Sequence, residues 1–149
     1  LTPEYRAPSP RSWLFAGVSG IAVAASMAML WTMVAFHGTG FMLVMPLFTA
    51  IAVSFALGLH GVHGDGPAAV LAAVLTGLAS AAAVALTVGL RMAIQFRMDL
   101  HHVLQTMGVE MTWAIWRARQ TLLGDASILA GILLAAWLAY RPLRSGRSG

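Results

Sequence analysis

Four long stretches of this chain, 13–36, 41–59, 67–90 and 122–140, run almost free of charge; the only Asp, Glu, Arg or His within them is Asp125. Carrying a helix through the hydrocarbon layer of a bilayer takes about 20 apolar residues. Lipid offers no water to satisfy a free peptide group, so segments of this kind have to be helical. The rest of the chain cannot coat a soluble domain, since 59% of the 149 residues are hydrophobic and only 9% are charged, with a mean hydropathy of +0.80. The expectation is an all-α integral membrane protein. A single transmembrane domain over 13–140 forms a four-transmembrane-helix bundle, between a polar segment at 1–12 and a basic, flexible tail at 141–149.

The connections support that division. Gly38-Thr39-Gly40 follows His37 and separates the first two runs by so little that they form a helical hairpin. Pro46 falls near the start of the second run, where a missing N–H and a fixed φ cost least. Between the second and third runs, Gly61, Gly64 and Gly66 alternate with polar residues and Pro67 stands where a helix begins. The first run is too long for a signal-peptide core and is expected to be a retained anchor.

The third run carries a pattern of its own. At 100° per residue, Ala69, Ala72, Ala73, Thr76, Ser80, Ala83 and Thr87 fall on one stripe, with Leu71, Val74, Leu75 and Leu78 opposite. Small and hydroxyl side chains let helix backbones approach closely in lipid. This stripe is expected to lie at the centre of the bundle or in a homo-oligomer contact.

Residues 98–120 differ from the four runs. Leu100, Val103, Leu104, Met107, Met111, Ala114, Ile115 and Ala118 repeat with helical period, while Asp99, His101, Gln105, Glu110 and Arg117 lie off that face. Such a segment is expected to be an amphipathic helix along the membrane interface, before the last span. The rival is a fifth span, which would place Glu110 in hydrocarbon at a high cost.

All nine basic residues are Arg, and they flank the apolar runs. They orient a membrane protein and do not suggest a nucleic-acid partner. With four spans both termini share a side, carrying Arg6, Arg11, Arg141, Arg144 and Arg147 against Arg91, Arg97, Arg117 and Arg119 opposite. That balance points to cytoplasmic termini in a multi-pass protein of a bacterial inner or plasma membrane. No Cys is present, which closes thiol catalysis, disulfides and thiolate-held clusters.

Two His-containing groups sort to opposite membrane faces. His60, His63 and Asp65 could offer two imidazoles and a carboxylate to one metal ion; the alternative is a polar turn that meets water and headgroups. On the other face stand His37, Asp99, His101 and His102, together with Met42, Met45, Met92, Met98, Met107 and Met111. Thioether plus imidazole suits Cu(I), although Met is also an ordinary filler of helix contacts. A haem would need an imidazole inside the bundle, so one held by His37 or His60 would lie near a surface. Asp125, a turn inside the fourth run, is expected to be a charge at the positive end of a helix dipole. Its alternative is a coupling carboxylate on a transport path with Thr76, Ser80, Thr87 and Arg91.

Enzyme motifs are missing. Asp65-Gly66 with Ala68-Ala69 is similar to the start of the CDP-alcohol phosphotransferase signature, but its Arg and two later aspartates are absent. No Gly-rich phosphate loop, Gly-x-Ser-x-Gly or His-Glu-x-x-His occurs. The leading expectation is a non-catalytic membrane component: an accessory or scaffold subunit of a larger membrane complex, or a homo-oligomer packing through the small-residue face of the third span. A small oligomeric transporter or channel is second, and a copper- or haem-binding membrane protein third.

Overall fold

The computed structural model describes residues 9–37, 43–119 and 121–141, and every element in them is an α-helix. These are α1 (Pro10–His37), α2 (Met45–Leu59), α3 (Gly66–Phe96), α4 (Leu100–Arg119) and α5 (Leu122–Tyr140). Most of the N-terminal segment, the Gly38-Thr39-Gly40 turn, Met42 and the tail beyond Arg141 lie outside the described residues.

Three helices, α1, α3 and α5, are long and apolar enough to cross a membrane. The second expected span, 41–59, is shorter than its apolar run suggests. Helix α2 has 15 residues, so at about 1.5 Å per residue it is roughly 22 Å long, less than a hydrocarbon layer. It begins at Met45 with Pro46 in the first turn, and Leu43 and Val44 form a tight turn before it. The proline therefore starts the helix and kinks nothing.

Small residues set the packing. In α1 the buried positions Ala16, Gly20, Ala24 and Ala28 recur every fourth residue, followed by Trp31, Thr32 and Ala35. In α5 they are Gly131, Ala135 and Ala139. In α3 five of the seven residues of the expected stripe, Ala72, Thr76, Ser80, Ala83 and Thr87, are buried, and Ala69 and Ala73 are half-buried. Leu75, expected on the opposite face, is buried as well, with a Cδ1 only 2.7 Å from where a Cβ on Gly20 would stand. Val74 and Leu78 are exposed, as expected.

The helices alternate in direction. Gly64 N–H donates to the Ala139 carbonyl at 2.8 Å, Gly77 faces Ile132, and Ile128 packs on the cluster that holds Ala83. So α5 runs antiparallel to α3, and the end of α3 and the start of α5 share one end of the bundle. Ser54 Oγ donates to the Ala135 carbonyl at 3.2 Å, which ties α2 to α5. Helix α3 runs past the expected boundary at Leu90 and stops at Phe96, where Arg97 takes a left-handed conformation (φ 54°). Met98 N–H then returns to the Ala93 carbonyl at 3.0 Å, a Schellman closure that satisfies a terminal acceptor.

Among the described residues, helix α4 packs against α3, and it is not one continuous amphipathic helix. Gly108 has φ 61° and ψ 172°, a non-helical conformation that side chains strongly disfavour. The apolar stripe therefore changes phase at this elbow. Val103 and Met107 before it are buried, whereas Met111, Ala114 and Ala118 beyond it are exposed. Ile115 comes back onto the cluster of Ala93, Val103 and Met107.

Candidate functional site

Among the described residues, a concavity lies where α3, α4 and α5 leave a gap. It has a volume of about 520 Å³ and is walled by Gly77, Ser80, Ala81, Val84 and Ala85 of α3, by Leu104, Gly108, Val109, Thr112 and Trp113 around the elbow, and by Ile128 of α5. Its size falls in the usual range of ligand pockets, roughly 300–1,000 Å³. The floor is a second small-residue row on α3, Gly77, Ala81 and Ala85, four residues apart, with Ala81 exposed and Gly77 and Ala85 half-buried. Ser80 brings no free polar group, because its hydroxyl donates to the Thr76 carbonyl at 2.8 Å. At the rim the Arg117 guanidinium lies 5.2 Å from the centre of the Trp113 ring, within cation–π range.

The residues expected to line a transport path do not share one surface. Thr87 is buried and donates to the Ala83 carbonyl at 2.7 Å. Thr76 is fully buried, and its Oγ1 has no hydrogen-bond partner. Arg91 reaches across to α1, and Asp125 is exposed in the first turn of α5. There the N-cap Thr121 accepts from Gly124 N–H at 3.3 Å, so the carboxylate stands by a helix N-terminus where negative charge is favourable.

The first His group is drawn apart. His60 stacks on Phe15 of α1, ring centres 6.3 Å apart. His63 borders a cavity of about 270 Å³ between α2 and α5, beside Ser54 and Leu138, and its Nδ1 is buried with no partner. Asp65 is the residue before α3 and makes no side-chain cap. Among the described residues, no three His, Asp or Glu side chains gather as a metal-binding group.

The second His group also divides. His37 Nδ1 meets the Met33 carbonyl at 2.9 Å, His101 Nε2 meets Gln105 Nε2 at 2.9 Å, and the backbone carbonyl of Asp99 accepts from Val103 N–H at 3.0 Å. His102 takes a different place. With Met92, Met98, Met107 and Met111 it lines a half-open cavity of about 180 Å³ between the end of α3 and the elbow, bordered also by Phe96, Val103 and Thr106. Met45 packs elsewhere, with Ala28, Trp31, Ala35 and Ala83.

Sequence reading missed the α1 row of Ala16, Gly20, Ala24 and Ala28, whose four-residue spacing was visible, and the row of Gly77, Ala81 and Ala85. The break at Gly108 had no signal beyond a single glycine within a helical pattern. No known protein family, curated protein or solved structure matches the chain.

Proposed function

We propose that the chain is a small, non-catalytic, multi-pass membrane component that serves as an accessory or scaffold subunit, in a homo-oligomer or a larger membrane complex. Helices α1, α2, α3 and α5 make four crossings, α2 being completed by the turns that flank it. Helix α4 is the interfacial element: it leaves and returns to the end shared by α3 and α5, with its elbow dipping beside α3. The excess of arginines on the terminal side, five against four, favours termini in the cytoplasm.

One observation carries this reading, the row of Gly77, Ala81 and Ala85 on the floor of the 520 Å³ groove, exposed at Ala81 and half-buried at its two ends. Close backbone approach is the chief attraction between helices in lipid, and small residues at intervals of four permit it. The inner small face of α3 already packs within the chain, so the groove is the face left for another helix. Extraction into lipid nanodiscs followed by native mass measurement is expected to give a species heavier than one chain. A cysteine at Ala81 should cross-link within it, and Ala81→Leu should dissociate it. A monomer in native lipid with no cross-link from Ala81 would contradict the reading.

A second reading, a small oligomeric transporter, has one observation in its favour: the unpartnered hydroxyl of Thr76 inside the bundle, in line with Ser80 and Thr87. Flux through proteoliposomes that is lost in Thr76→Val would favour it over the scaffold.

A further inference from the structure

We propose that the corner between the end of α3 and the elbow of α4 binds a soft monovalent cation, Cu(I) in a cell, through the imidazole of His102 and up to three thioethers drawn from Met92, Met98, Met107 and Met111. Nothing in the scaffold reading requires this site, and the two stand or fall separately.

The five side chains line one cavity of about 180 Å³, although they come from different backbone segments. Met92 is on α3. Met98 follows the left-handed Arg97, whose closure turns the chain out of α3. His102 and Met107 are on α4 before Gly108, and Met111 lies beyond the non-helical glycine. Two local departures from helical backbone thus converge on the same small space.

Packing alone does not account for the composition of this corner. Met107 is buried at 8% exposure and covers Ala93 and Val103, as a filler would. Met98 at 52% and Met111 at 49% exposure cover little. The donor set also has a definite preference. Thioether sulfur is neutral and polarisable, and with imidazole it suits Cu(I), whereas carboxylate and carbonyl oxygen suit magnesium and calcium. No carboxylate lines the cavity, so no anionic oxygen is present to offset the second charge of a hard divalent ion. A monovalent ion with diffuse charge is the one such a lining accommodates.

The test is titration of the purified full-length chain in detergent with Ag(I), a redox-inert stand-in, and with Cu(I) under reductant against a chromophoric competitor. One equivalent is expected to bind, with an X-ray absorption shell dominated by sulfur and holding one nitrogen. Met98→Leu with Met111→Leu, at exposed positions, is expected to weaken binding by on the order of tenfold or more without changing helix content. His102→Ala should remove the nitrogen from the shell, and Met45→Leu, in a different cluster, should leave affinity unchanged. Absence of saturable Ag(I) binding, equal affinity in the double Met variant, or a preference for Zn(II) over Ag(I) would overturn the proposal.

Discussion

Arg91 Nη2 donates to the carbonyl oxygen of Ala35 at 3.2 Å, so a cation on α3 closes the last turn of α1. The Ala35 carbonyl belongs to the final four of a helix ending at His37, which have no intrahelical donor. Positive charge is favourable at that end of the dipole, and the guanidinium also lies 5.8 Å from the centre of the Phe36 ring. Arg91→Leu is expected to lower stability by about 1 kcal/mol, the scale of a charge-assisted bond at a partly exposed site. Thermal unfolding in detergent measures it, and Arg91→Lys should recover only part of the loss because a single ammonium cannot both stack and reach the carbonyl.

The glycine contacts between helices predict an ordered series of substitutions. A Cβ on Gly131 would stand 2.8 Å from both the Cβ and the backbone oxygen of Pro46, where nothing flexible can yield. At Gly20 the obstacle is the end of the Leu75 side chain at 2.7 Å, and at Gly77 the nearest atom is Ile132 Cδ1 at 3.6 Å. Gly131→Ala should therefore cost about 1–3 kcal/mol as an overpacked site, Gly20→Ala less, and Gly77→Ala almost nothing. Unfolding midpoints of the three variants should fall in that order.

The two faces of α3 make a third set of predictions. Ala72→Leu, Thr76→Leu and Ala83→Leu place bulk against buried backbone and should each reduce the yield of folded protein. Leu78→Ala, on an exposed face, removes contacts that lipid replaces. Leu75→Ala belongs with the damaging changes, at about 2 kcal/mol or more, because Leu75 fills the space over Gly20. Thermal stability of Leu75→Ala equal to that of Leu78→Ala would contradict this assignment.

Much of this arrangement was legible in the residues. The last run, 122–140, became helix Leu122–Tyr140 without change, since Thr121 offers a cap and Arg141 ends the apolar pattern. The third run continued past its expected end because the charge of Arg91, read as a boundary, is received by α1 and does not stop the helix. The small stripe of α3 could be placed on one face by periodicity, but not assigned to a neighbour within the chain. Gly108 shows the limit: a glycine within a helical pattern does not announce a φ of 61°, and with it went the expectation of one continuous stripe. Of the Met and His side chains grouped by sequence near the end of α3, only His102, Met92, Met98, Met107 and Met111 share a cavity, and the break at Gly108 helps to decide which.

The elbow can be tested directly. A Cβ at Gly108 would have open space, so Gly108→Ala suffers only the backbone penalty of about 1–3 kcal/mol. It is expected to straighten α4 and carry Met111 and Ile115 away from Met107 and Val103. Cysteines at Val103 and Ile115 should cross-link in the parent and lose that link in Gly108→Ala.

The central claim is that α4 leaves and re-enters one membrane face, so that α3 and α5 are consecutive crossings. Because the chain contains no Cys, single cysteines at Asp99, Glu110, Thr121, His60 and Asp65 can be labelled with an impermeant maleimide in sealed, oriented vesicles. The account predicts that Asp99, Glu110 and Thr121 react from one side, and His60 and Asp65 only from the other. Labelling of Asp99 and Thr121 from opposite sides would make α4 a crossing and contradict the account.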